Sequence, residues 1–218
     1  MRFISITSFV SVPLLIIMET EGTYFSSFQL IFGNLTKYII LNILLALTRP
    51  AEIQTIYKAC SNFLQIENQL VYWGNVILGS LGHIAIMIYY RSTPEYQWNS
   101  TKITLDSGWA TKTSLVASQY MFYTIHPIVL VIAIYMGEPF KQPLHKNFLL
   151  FIVIIGNIVF TMLLFGIYPQ LQGFFGFVDI SYPCLGYIAL ICVVDSILIL
   201  MFNGWIRYMK FHERLAIT

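Results

Sequence analysis

Six apolar runs of membrane-crossing length, separated by short polar connections, constrain this chain more than any other feature of its sequence. They lie at roughly 2–18, 25–47, 69–90, 114–136, 148–168 and 183–206. About 20 apolar residues in a helix cross a hydrocarbon core about 30 Å thick. Lipid offers no partner to a backbone N–H or C=O, so each run must satisfy its own hydrogen bonds, which an α-helix does. A barrel would instead need strands of about ten residues with alternating polarity, a pattern absent from the sequence. The composition points the same way: 57% of the 218 residues are hydrophobic and 10% charged, where soluble domains carry about 25% charge. The expected fold class is an all-α integral membrane bundle of about six transmembrane helices, a single domain over 1–218.

The charges orient this bundle. Arg2, Arg49, Lys58, Lys141, Lys146, Arg207, Lys210 and Arg214 all fall on one side, and only Arg91, Lys102 and Lys112 on the other. The positive-inside rule places the first side, with both termini, in the cytoplasm. Asn99-Ser100-Thr101 is then an N-glycosylation acceptor pattern on the non-cytoplasmic side, whereas Asn34-Leu35-Thr36 falls inside a run. Met18-Glu19-Thr20-Glu21 follows the first run where a signal peptide would end in small residues, so this run is expected to stay as a membrane helix. The partner expected from composition is the lipid bilayer. Clustered Lys/Arg interleaved with aromatics, the mark of a nucleic-acid partner, is absent. Cys60, Cys184 and Cys192 show no metal-ligand spacing, and no catalytic, cofactor or metal residue is assigned.

Polar groups within apolar runs are candidate functional residues, because lipid does not solvate them. The first run carries Ser5, Ser8 and Ser11 with Pro13, read as helix packing or as part of a transport path. The second carries Gln29, Gly33 and Lys37 at i, i+4, i+8, with Asn34 one turn from Lys37. Lys37 lies near mid-run, and Asp195 in the sixth run is its candidate counter-charge. Asn75, Gly79 and Gly82 or His83 share a side and read as close packing, as does Gly156-Asn157. Gln119, Tyr123 and His126 descend one face beside Pro127, where a lone histidine reads as a packing residue. Tyr72, Trp73, Tyr89, Tyr90 and Trp205 suit interfacial belts.

One connection is more specific. Gly137-Glu138-Pro139-Phe140-Lys141-Gln142-Pro143-Leu144-His145-Lys146-Asn147, preceded by Gln119-Tyr120, resembles the junction of the eighth and ninth membrane helices in P5B-type ATPases. These are the polyamine-transporting branch of the P-type pumps. The first two runs, ending at Leu47-Thr48-Arg49-Pro50, resemble that family's fifth and sixth membrane helices. The resemblance implies that the chain is the C-terminal transport end of a cation or polyamine pump. Its first two helices would line part of the cation path, and the organelle would be endolysosomal or vacuolar.

ATP and Mg would bind in domains outside these residues, and the remainder of the pump would be the partner. Asp-Lys-Thr-Gly, the phosphorylation motif, is absent, so no autonomous ATPase activity is expected. The chain is then a fragment, a truncated product or a degenerate relative. Asn34 stands where the family carries an aspartate and Ser8 where it carries a glutamine. With Lys37 nearby, this variant is expected to bind polycations weakly or not at all. Ser8, Asn34 and Lys37 are the candidate path residues. The alternatives are a non-enzymatic six-helix scaffold or regulatory subunit, or an unrelated carrier or channel.

Overall fold

The computed structural model describes residues 2–49, 66–93, 113–135, 143–167, 174–177 and 180–215. Cys60, Asn99 and positions 137–142 lie outside them, as does the side chain of Lys37. Among the described residues no strand occurs, and six helices are long and apolar enough to cross a membrane. The first, α1, is Arg2–Thr20. The second, α2, is α-helical over Ser27–Gly33, π-helical over Asn34–Ile40 and α-helical again over Leu41–Ala46. Next come α3 (Ile66–Ser92) and α4 (Ser114–Ile134). The fifth, α5, is Phe148–Met162 and continues as a π-helix over Leu163–Ile167; the sixth, α6, is Tyr182–Leu215.

Local chemistry explains where these helices start and stop. Gly22 takes a φ of 62°, and the N–H groups of Gly22 and Thr23 close back on the carbonyls of Glu19 and Met18 at 3.1 and 2.8 Å. This is a Schellman closure of α1, and a side chain at position 22 would be strained. Four residues on, Ser26 and Gln29 form a reciprocal capping box that starts α2. Thr113 caps α4 through Val116 N, and Asn147 caps α5 through Leu150 N. The described end of the twice-proline connection is a 3-10 turn, Leu144–Lys146, leading into that Asn147 cap. Asn147 also donates to Thr48 Oγ1 at 2.9 Å, tying this connection to the end of α2.

The bundle is built around α4. Of its residues 78% are buried, against 22% to 44% for the other five spans. It touches α1, α3, α5, α6 and the π segment of α2. One apolar cluster, with Ile6, Leu41, Tyr72, Val131 and Leu150, joins five helices at the end where α1 begins. Two others, around Tyr120 with Phe175 and around Ile86 with Ile188, fill the opposite end. The outward surface is apolar as well: Leu15, Ile31, Ile88, Met162 and Met201 are each more than half exposed.

Several expectations change. The sixth helix was expected to end near 206 and instead runs to Leu215. The apolar run stops there, but 207–215 holds neither Pro nor Gly, and Arg, Lys, Met, Glu and Leu continue a helix readily. The i, i+4, i+8 alignment of Gln29, Gly33 and Lys37 assumed one unbroken α period. Gln29 and Gly33 are both buried, but the π segment that starts at Asn34 changes the phase before Lys37. Gly156 has nothing near where a Cβ would stand, so it does not mark a close approach. Tyr72 and Tyr90 are buried rather than interfacial, whereas Trp73 and Trp205 face outward.

Candidate functional site

Gln119, Tyr123 and His126 share a face of α4, as their i, i+4, i+7 spacing requires. Each reaches a different helix. The amide of Gln119 donates from Nε2 to the His83 carbonyl on α3 at 3.1 Å, and its Oε1 lies 2.6 Å from His83 Nδ1. That amide orientation makes Nδ1 of His83 the donor. Tyr123 donates its hydroxyl to Asn34 Oδ1 on α2 at 2.8 Å. His126 Nδ1 lies 2.9 Å from Asp195 Oδ2 on α6.

The histidine–aspartate pair is buried, with side chains 2% and 6% exposed. Asp195 stands at the middle of the span Tyr182–Met209, and His126 close to the middle of Ser114–Ile134. Phe122 stacks on the His126 ring at 5.4 Å. The ring fits because position 79 has no side chain: a Cβ there would lie 2.6 Å from both Cε1 and Nε2 of His126. Gly82 makes room in the same way for Phe122, whose ring atoms come within 2.1 Å of where a Cβ would stand. Asn75, Gly79 and Gly82 thus do mark a packing face, and it packs around aromatic and polar rings.

Beside the pair is a small cavity with room for about one water. Thr7 and Ser11 of α1, His83 of α3, and Tyr123 and His126 of α4 line it. The hydroxyl protons of Thr7 and Ser11 are committed to the carbonyls of Phe3 or Ile4 and of Thr7, which leaves their oxygens as acceptors. Nε2 of His126 is buried and has no hydrogen-bond partner.

Other buried polar groups brace this layer. Asn75 and Asn203 exchange amide hydrogen bonds at 3.2 and 2.9 Å, clamping α3 to α6. Tyr90 contacts Ser118 and Cys184 at 3.2 and 3.4 Å, joining α3, α4 and α6. Tyr120 donates to the Gln29 carbonyl at 3.3 Å, and Gln29 Nε2 to the Phe175 carbonyl at 2.7 Å. At the far end Arg207 donates to the carbonyls of Ala133 and Tyr135, closing the C-terminus of α4. At the opposite end Arg91 pairs with Glu21 at 2.7 Å. No group of three or more His, Cys, Asp or Glu that could hold a metal occurs among the described residues.

The sequence-derived candidates are spread out. Ser8 is exposed on α1, while its neighbours Thr7 and Ser11 line the cavity. Asn34 is exposed, and its Oδ1 accepts from the Tyr123 hydroxyl. The Lys37 side chain and Asn99 lie outside the described residues. His126, read from sequence as packing, proves to be the partner of Asp195. A signal was available: Asp195 is the lone carboxylate inside the six apolar runs, and it needed a basic or protonated partner from a short list that included His83 and His126.

Comparison with known proteins found no matching family model and no matching curated protein.

Proposed function

We propose that this chain is a multi-pass membrane protein, both termini cytoplasmic, that forms the transport end of a cation-translocating pump of P5B type. The observation that carries the transport reading is the buried His126–Asp195 pair, held at mid-span beside a small cavity bordered by Thr7, Ser11 and His83. Ionisable groups at that depth are costly, and where they occur they commonly mark a path or a relay. The apolar outer surface and the six spans support the membrane setting.

The family reading is supported by the roles of its motif residues. Gln119 holds His83, Tyr120 holds α2, and Asn147 caps α5 while gripping Thr48. Ser8 and Asn34 lie on exposed surface, where the remaining helices of a pump would cover them. On this reading ATP and Mg act in domains beyond these residues, polyamine or another cation is the cargo, and the membrane is endolysosomal or vacuolar.

That same exposure favours a second reading, a six-helix membrane scaffold or regulatory subunit without a path of its own. The transcript upstream of Met1 separates the two. Read-through of Asp-Lys-Thr-Gly in frame joins the chain to a pump; its absence, with a separate promoter, supports the scaffold. Topology is tested in microsomes: a glycan at Asn99 and protease-accessible termini are expected, and a glycan on a tag at either terminus overturns the orientation.

A further inference from the structure

We propose that the His126–Asp195 pair is a proton-binding site, served by one water in the cavity against α1. The inference rests on the membrane-transport reading and names the species that this part of it binds.

An ionised Asp195 beside a neutral His126 leaves one net negative charge buried at mid-span. Among the described side chains no Lys or Arg is paired with Asp195. One added proton brings the pair to neutrality, which burial favours strongly. The proton can be written as an imidazolium facing a carboxylate, or as a carboxylic acid donating to Nδ1. In both descriptions Nε2 of His126 carries a hydrogen.

That hydrogen needs an acceptor, and the protein supplies none directly, because Nε2 is buried without a partner. His126 lines the cavity together with Thr7 and Ser11, whose hydroxyl oxygens can accept, and about one water fits there. A water there takes the Nε2 hydrogen bond and donates to those oxygens. Release of the proton breaks the Nε2–H bond and forms an O–H bond on the water. The pair is left as Nδ1–H facing an ionised Asp195, one unit more negative. No electron changes hands.

Gly79 is part of this arrangement. It leaves the space that the imidazole edge occupies, since a methyl at that position would fall 2.6 Å from Nε2. Other titratable groups near the pair are His83 across the cavity on α3, Tyr123 on α4 and Cys192 one turn before Asp195 on α6. From α1, Thr7, Val10 and Ser11 line the cavity, and none of the three is titratable.

The test is nitrogen-15 NMR of histidine-labelled full chain in lipid nanodiscs. The His126 signals are assigned by loss in His126→Gln. At neutral pH, Nε2 of His126 is expected to carry a proton and to show exchange contact with water. Raising the pH removes that proton while Nδ1 keeps its own. Asp195→Asn is expected to abolish this titration step, and Gly79→Ala to abolish the water contact. An unprotonated Nε2 at every pH, or a ring with no water contact, overturns the proposal.

Should the variants fail to insert, sequential assignment of the wild-type spectrum identifies the His126 signals, and their titration and water contact decide alone. Contacts between lipid chains and outward side chains such as Ile88 and Met201 are read on the same sample. Their absence sinks the membrane reading; their presence with a ring that never titrates sinks only the proton site.

Discussion

His126 Nδ1 and Asp195 Oδ2 meet at 2.9 Å, although 69 residues separate them in the chain. Each sits near the centre of its own span, and each is almost fully buried. Two helices of the bundle are thereby locked in rotation as well as in register. The contact places an acidic and a basic side chain together in the interior at mid-span.

Breaking this pair from one side should cost more than removing both halves. His126→Leu strands the Asp195 carboxylate and is expected to lower stability by about 3–5 kcal/mol. The double substitution His126→Leu with Asp195→Leu is expected to recover most of that loss, because no buried charge remains. Denaturant unfolding in mixed micelles reads both variants. Strictly additive losses would mean that the two side chains act independently.

Glycines on α3 and α5 should respond in opposite directions. A Cβ on Gly82 would run into the Phe122 ring at 2.1 Å, and that ring cannot swing aside, since it is 1% exposed and packs edge-on against His83 at 4.7 Å. Gly82→Ala is expected to destabilise by about 1–3 kcal/mol through overpacking. Gly156→Ala meets nothing within 4 Å and should be neutral or gain up to about 1 kcal/mol of helix propensity. Equal melting temperatures for the two variants would contradict the packing described here.

The path residues on α2 give a prediction tied to the pump reading. Asn34 offers an acceptor without a charge, and Lys37 lies within the same π segment. Asn34→Asp combined with Lys37→Ala, placed in a full-length pump, is expected to raise polyamine-stimulated turnover. A gain of roughly tenfold corresponds to about 1.4 kcal/mol of better cation binding. Unchanged turnover would remove these residues from any cation path.

Much of the fold was legible in the residues. Five of the six helices begin and end within a few positions of their apolar runs, because caps such as Ser26, Thr113 and Asn147 and the Gly22 turn act locally. The face of α4 bearing Gln119, Tyr123 and His126 could also be read from spacing. Two departures were also local in origin. The π segment of α2 interrupts a period that looked continuous, and α6 outlasts its apolar run because polar helix formers follow it.

What the sequence by itself determined is therefore a set of helices and the composition of their faces. Hydrophobic length and capping chemistry are short-range properties, complete within one segment. The tertiary structure alone decided which faces meet: that Asp195 is answered by His126, that Gly79 opens the space for its ring, and that Thr7 and Ser11 rather than Ser8 border the cavity. Those pairings depend on the rotation and offset of one helix against another. Their energies come from contacts between residues far apart in the chain, which no periodicity within a single helix encodes.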